Sequence, residues 1–179
     1  MLDLTQNYFK LFGIPEQFEL DAVALGSAFR ELQTKFHPDR FVNSDDKERR
    51  LALQITGFIN EANETLKSSR LRARYLLTLH GVDFNDEVDT THDGLFLMHQ
   101  MEIREALEAV ENDDDPLARI DDIAQEISGE ADALKDDFVA MLEQGKLTCA
   151  KEAVLKMKLF ERLCQESKRL TEKLEDDLF

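Results

Sequence analysis

Apolar positions along this 179-residue chain recur at helical spacing almost throughout, and no stretch shows sustained strand alternation. Tyr8, Phe9 and Phe12 form a short cluster that stops at Gly13 and Pro15, and Asp21 is a good N-cap for the helix predicted after it. Leu25, Phe29, Leu32 and Phe36 then fall at i, i+4, i+7 and i+11, one face of a single helix. Pro38 must end that helix, because it lacks an N–H and fixes φ. After a polar loop, Asn43-Ser44-Asp45-Asp46, a second long helix is predicted with Leu51, Ile55, Phe58 or Ile59, Ala62 and Leu66 along one side. Two antiparallel helices joined at Pro38 are the simplest arrangement. Residues 70–80 (RLRARYLLTLH) predict a further short helix, closed by Gly81, which accepts a left-handed conformation.

The next segment, VDFNDEVDTTHDG, is polar and aperiodic and reads as a linker, placed at 82–92. Beyond it lies a helix near 93–112, and then Leu117, Ile120, Ala124, Ile127, Ala131, Leu134, Phe138 and Met141 in a 3-4-3-4 alternation ended near Gly145. A last helix from about Thr148 carries Ala150, Ala153, Met157, Phe160 and Cys164 at the same alternation. The fold class is all-α: an antiparallel helix pair with short flanking helices over 1–81, and a three-helix bundle over 93–179.

Charge divides the chain the same way. Residues 1–81 carry 11 Lys or Arg and 11 Asp or Glu, whereas 82–179 carry 11 and 27, so the whole net charge of −16 sits in the second region. That balance argues against nucleic acid as a partner, which needs Lys and Arg to displace counterions from phosphates. No apolar run approaches the roughly 20 residues of a membrane span, and no signal segment is visible at the N-terminus. Cys149 and Cys164 lie fifteen positions apart on one predicted helix, too far to bridge, and read as reduced thiols of a cytoplasmic protein.

The tripeptide His37-Pro38-Asp39 is the most pointed chemistry in the first region. Proline pushes the preceding residue toward extended geometry, so His37 and Asp39 project from a tight loop. Taken alone, the motif is equally a helix stop with Asp39 capping the next turn, since three-residue motifs recur by chance. Its context is more specific: FRELQTKF precedes it, and INEANETL and RARY come after it. This arrangement resembles the J-domain family, in which the loop tripeptide stimulates ATP hydrolysis by DnaK-type chaperones. NYFKLFGIP at the start, RARYLLTLHG at the end of the first region, DGLFLMHQMEIREAL and RLTEKLEDDLF extend the likeness over essentially the whole chain. Together they resemble the HscB family of J-type co-chaperones of bacterial iron-sulfur-cluster assembly.

The resemblance implies a J-domain followed by a three-helix bundle, with two partners: a specialised DnaK-type chaperone, HscA, and an iron-sulfur scaffold protein, IscU. It assigns His37, Pro38 and Asp39 to the chaperone. The Asp39 carboxylate suits a charge-assisted hydrogen bond with an arginine, and Arg30, Lys35 and Arg40 offer a basic surface for steering. On the helix containing LFLMHQMEIREALEAV, Phe96, Ile103, Leu107 and Val110 form a bundle seam. Leu97, Met98 and Met101 fall roughly opposite, beside Glu102 and Glu105, which suits either a partner surface or a helix buried on both sides. The resemblance selects the first and assigns Leu97, Met98, Met101, Glu102, Glu105 and Leu159 to the scaffold. Leu155 and Leu159 are expected to point away from the Met157 and Cys164 stripe.

Three positions depart from the family pattern. Arg40 stands where lysine is common, Leu159 where an aromatic residue is expected, and Asn63 where an aromatic follows the Ala of the third helix. The paired CxxC motifs of some eukaryotic relatives are absent, so no zinc module, metal site or cofactor is expected. Catalysis is not expected either: no nucleophile or glycine-rich phosphate loop accompanies His37 and Asp39, and His80, His92 and His99 are dispersed. A general J-protein serving other clients and a purely structural helical adaptor remain as alternatives.

Overall fold

A computed structural model describes residues 3–41, 45–85 and 88–176. Asn43 and Ser44 of the predicted loop, Asp86 and Glu87 of the predicted linker, and residues 177–179 at the end of the terminal stretch lie outside the described residues. The described residues form helices and connecting turns without a strand, in two compact units, 1–80 and 81–179.

The first unit contains α1 (Tyr8–Phe12), α2 (Ala22–Phe36), α3 (Asp46–Lys67) and α4 (Ser69–Leu79). Asn7 caps α1 by accepting from the Lys10 N–H, and Gly13 closes it at φ 65°, where a side chain would be strained. Asp21 caps α2 by accepting from the N–H groups of Val23 and Ala24. Along α3 the buried residues are Ala52, Ile55, Ile59, Ala62 and Leu66. The strict 3-4-3-4 seam therefore runs through Ala52 rather than Leu51 and through Ile59 rather than Phe58. Phe58 instead meets the Tyr8 ring edge-on at 5.5 Å. Of the predicted α2 face only Leu25 is buried, while Phe29, Leu32 and Phe36 are partly covered, as befits a helix at the edge of a small core.

The family-like segments at the two ends of this unit meet. Tyr8 stacks on Tyr75 at 4.3 Å, its N–H donates to Tyr75 Oη (3.0 Å), and its own hydroxyl donates to Glu61 (3.0 Å). Burial, reinforced by Glu61, pushes the Tyr8 phenol up to about 12. Arg72 of α4 lies 4.8 Å from the Phe18 ring centre and donates to the Leu66 carbonyl at 2.5 Å. It thereby satisfies a carbonyl in the last turn of α3. Burial lowers the Arg72 pKa, and Glu19 opposes that shift.

The second unit contains α5 (Gly94–Ala109), a 3₁₀ turn (Val110–Asn112), α6 (Pro116–Glu143) and α7 (Leu147–Asp176). Asp115 caps α6 by accepting from the Ala118 N–H, and Pro116 opens it, where a missing N–H costs nothing. The core joins Ile103, Leu107 and Val110 to Ile120, Ile123 and Ile127 of α6 and to Phe160 and Leu163 of α7. Phe96 adds an edge-to-face contact with Phe160 at 5.7 Å.

Helix α5 has 16 residues against 28 and 30 in its neighbours, about 24 Å against more than about 40 Å at 1.5 Å per residue. The segment before α5 packs alongside α7. Phe84 is buried under Lys151, whose ammonium lies 4.9 Å from the ring centre and 2.9 Å from Asp89. Thr91, also buried, donates its hydroxyl to Glu152. Asp93 pairs with Lys156 at 2.7 Å and caps α5 through the Phe96 N–H at 3.1 Å. Part of the segment expected as a linker is thus built into the second unit. Its polar pairs link residues some 60 positions apart, so no periodicity betrays them. No helix among the described residues is long and apolar enough to cross a membrane.

Two outcomes are expected. Leu163→Ala removes a fully buried side chain and lowers unfolding free energy by about 2–5 kcal/mol, measurable by urea titration. Asp93 is held below its usual 3.8 by the Lys156 hydrogen bond first and the Phe96 N–H second. Its contribution is therefore complete above the unfolded carboxylate range and lost as pH falls through the folded value. Asp93→Asn retains the cap but removes the charge. Its melting-temperature deficit should be constant above about pH 5 and shrink below that; a deficit unchanged down to acid would contradict the ion pair.

Candidate functional site

The first candidate site is the turn after α2. His37 is extended (φ −57°, ψ 131°), the geometry imposed on a residue preceding proline, and Pro38–Phe41 forms a 3₁₀ turn. The Arg40 N–H donates to the His37 carbonyl at 3.0 Å, closing the turn. Its base is held from both sides: Thr56 of α3 donates to the Phe36 carbonyl (3.0 Å), and Gln33 of α2 donates to Asn60 of α3. The Asp39 N–H donates to His37 Nδ1 at 3.3 Å. An Nδ1 that accepts this hydrogen carries no proton, so its 3.6 Å approach to the Asp39 carboxylate is proximity rather than a hydrogen bond. That carboxylate is 84% exposed and keeps its acceptor capacity.

The three basic residues expected nearby are all exposed or partly so. Arg40 donates to the Thr34 carbonyl (3.0 Å), Arg30 to Ser27 Oγ (3.2 Å), and the Lys35 ammonium lies 5.5 Å from the Phe36 ring centre. Each guanidinium has an internal anchor and N–H groups to spare.

The second candidate site is the outer face of α5. Because Ile103 and Leu107 commit one side to the core, the helical period turns Leu97, Met98 and Met101 outward, 37%, 60% and 60% exposed. Glu102 and Glu105 are exposed beside them. Leu95, at 82%, extends the apolar surface by one residue that was not among those expected there. Leu159 on α7 is partly buried. Leu155 corrects an expectation: it is 5% exposed rather than outward. It lines a pocket with Val88, Asp89 and His92, so the chain preceding α5 covers the α7 face where it was expected to be open.

A third group had no signal in the histidine spacing. His99 of α5 faces α6, its Nε2 2.6 Å from Glu130 and its Nδ1 3.5 Å from Glu102. The Glu130 hydrogen bond, more than any other contact, raises the His99 pKa; Glu102 and Glu126 act in the same direction and desolvation opposes them. One donor atom each of His99, Glu126 and Glu130 lie within 4.8 Å of one another. The sequence clue is the i, i+4 spacing of Glu126 and Glu130, which puts them on one face, but their histidine partner lies on a different helix.

A family model described as the HSCB C-terminal oligomerisation domain matches residues 92–168. The chain is 40% identical to the co-chaperone protein HscB homolog of Aliivibrio fischeri over 168 residues, covering 94% of this chain and 98% of that one. It is likewise 40% identical to the homolog of Aeromonas salmonicida, at 97% and 98% coverage. The solved chaperone HscB from Vibrio cholerae superposes with a TM-score of 0.87 at 38% identity, over 97% of this chain and all of that one. The crystal structure of human co-chaperone protein HscB gives 0.82 at 28% identity, over 93% and 83%.

Burial separates two apolar positions that the sequence had grouped as outward. Leu155→Ala should lower stability by about 2–5 kcal/mol, whereas Met98→Ala should change it by no more than about 0.5 kcal/mol. Denaturant midpoints of the two variants check this; equal losses would refute the burial assignment.

Proposed function

The chain belongs to the HscB family of co-chaperones, with an N-terminal J-domain and a C-terminal helical bundle, and on that premise we propose that it couples two partners. Its J-domain stimulates the ATPase of a specialised DnaK-type chaperone, HscA. Its bundle delivers the iron-sulfur scaffold protein IscU to that chaperone and so promotes cluster assembly and transfer. The chain itself performs no catalysis and acts in the cytoplasm.

The observation that carries the proposal is the Asp39 carboxylate, exposed on a turn held at its base by α2 and α3. A carboxylate in that setting accepts a charge-assisted hydrogen bond from a chaperone arginine at little ordering cost, because its backbone is already held. Pro38 sets the turn and His37 braces it through the Asp39 N–H. Arg30, Lys35 and Arg40 surround the turn with positive charge, which raises the rate of encounter with an acidic partner surface more than it raises affinity.

The scaffold is assigned to Leu97, Met98 and Met101, with Glu102 and Glu105 at the polar rim and Leu159 contributing from α7. Methionine side chains adapt their shape to a contact, and an apolar centre with charged edges is the usual anatomy of a protein interface. The two surfaces belong to different units, which lets one chain hold the client and the ATPase together.

The decisive experiment is a steady-state ATPase assay of HscA with the co-chaperone and IscU added separately and together. More-than-additive stimulation is expected; additive stimulation would favour a general J-protein. Asp39→Ala should abolish stimulation while IscU binding persists, and undiminished stimulation would sink the assignment of the turn. Leu97→Ala with Met98→Ala should weaken IscU binding about 10-fold or more while the fold stays intact, since interface centres lose over 1 kcal/mol per key residue. Unchanged affinity by calorimetry would refute the patch.

A further inference from the structure

Asp122, Glu126 and Glu130 run down α6 at four-residue spacing, and like charges at that spacing oppose helix formation. Opposite them α5 presents an imidazole, His99, rather than a lysine or arginine. Imidazole nitrogen and carboxylate oxygen together form a donor set that suits zinc-class ions.

We propose that His99, Glu126 and Glu130 form a binding site for a divalent transition ion of the zinc class, bridging α5 and α6. The donor atoms lie within 4.8 Å of one another, and two donors at about 2.1 Å from a common ion stand at most about 4.2 Å apart. Closing the set therefore takes a rotamer adjustment of a few tenths of an ångström, which the exposed Glu126 side chain accommodates. His99 Nε2 and Glu130, now 2.6 Å apart and sharing a hydrogen, give up that proton to solvent and both turn to the ion. Glu102, 3.5 Å from Nδ1, then accepts the remaining ring N–H and fixes the tautomer, the outer-shell carboxylate that metal-bound histidines commonly have. Three protein ligands leave a position for water, and the partial exposure of His99 and Glu130 gives it access. Magnesium and calcium are disfavoured, because they take all-oxygen shells.

The test is calorimetric titration of the chelator-stripped full chain with Zn²⁺, together with Co²⁺ as an absorbing probe. One saturable Zn²⁺ site is expected, with a Co²⁺ spectrum of nitrogen and oxygen ligation. Glu126→Gln, which leaves the His99–Glu130 contact in place, should weaken binding at least about 10-fold, and His99→Asn should remove the site. Glu102→Gln, which deletes no ligand, should still weaken binding about 10–100-fold through the lost orientation of His99. The proposal is overturned if Glu126→Gln and His99→Asn, folded by circular dichroism, bind as the parent does. It is equally overturned if equimolar Mg²⁺ displaces Zn²⁺, or if Co²⁺ shows thiolate charge transfer, which would locate the ion at a cysteine. None of these readouts depends on HscA or IscU.

Discussion

A 16-residue helix cannot cover partners of 28 and 30 residues, and the second unit is organised around that shortfall. The chain leading into α5 contributes Phe84 and Thr91 to burial beside α7 and is held there by Lys151 and Lys156. Asp93 then serves two roles at once, ion-pair partner of α7 and N-cap of α5. Helix phase propagates from that cap. With the start of α5 fixed and Ile103 and Leu107 committed to the core, Leu97, Met98 and Met101 have no inward direction left.

The turn after α2 obeys a different constraint. Its shape comes from covalent geometry, a proline after His37, supplemented by two hydrogen-bonded ties between α2 and α3. A polar recognition element needs this, because a carboxylate on a wandering loop would lose to ordering entropy what it gained from a partner. The two ends of the molecule also differ in charge. The unit carrying His37-Pro38-Asp39 is close to neutral, and the other holds the entire excess of acid. A partner of one unit has little electrostatic reason to bind the other, which favours order over competition at the two surfaces.

Helix number, the caps Asp21 and Gly13, and the outward face of α5 were all legible in the sequence, since each is dictated by local spacing or local backbone chemistry. Where expectation and structure part, the deciding contacts are long-range. Leu155 is buried by chain more than sixty positions earlier, and the 84–93 segment is ordered by lysines on α7. Ala52 displaced Leu51 from the α3 seam because a one-residue phase choice depends on the neighbour's position, which periodicity leaves open. His99 shows the same limit in chemical form: its partners Glu126 and Glu130 are conspicuous only once α5 and α6 are side by side. The functional tripeptide was recognisable because proline makes its geometry local.

Gly145 sits at φ 68° in the turn between α6, ending at Glu143, and α7, beginning at Leu147. Reversing the chain in so few residues keeps loop-closure entropy small and makes neighbouring contacts between the two longest helices close in sequence. Topologies dominated by such contacts cross their folding barriers quickly. The hairpin is thus a template that can zip outward from its turn, and the methionine-bearing helix needs only to dock onto a surface already formed.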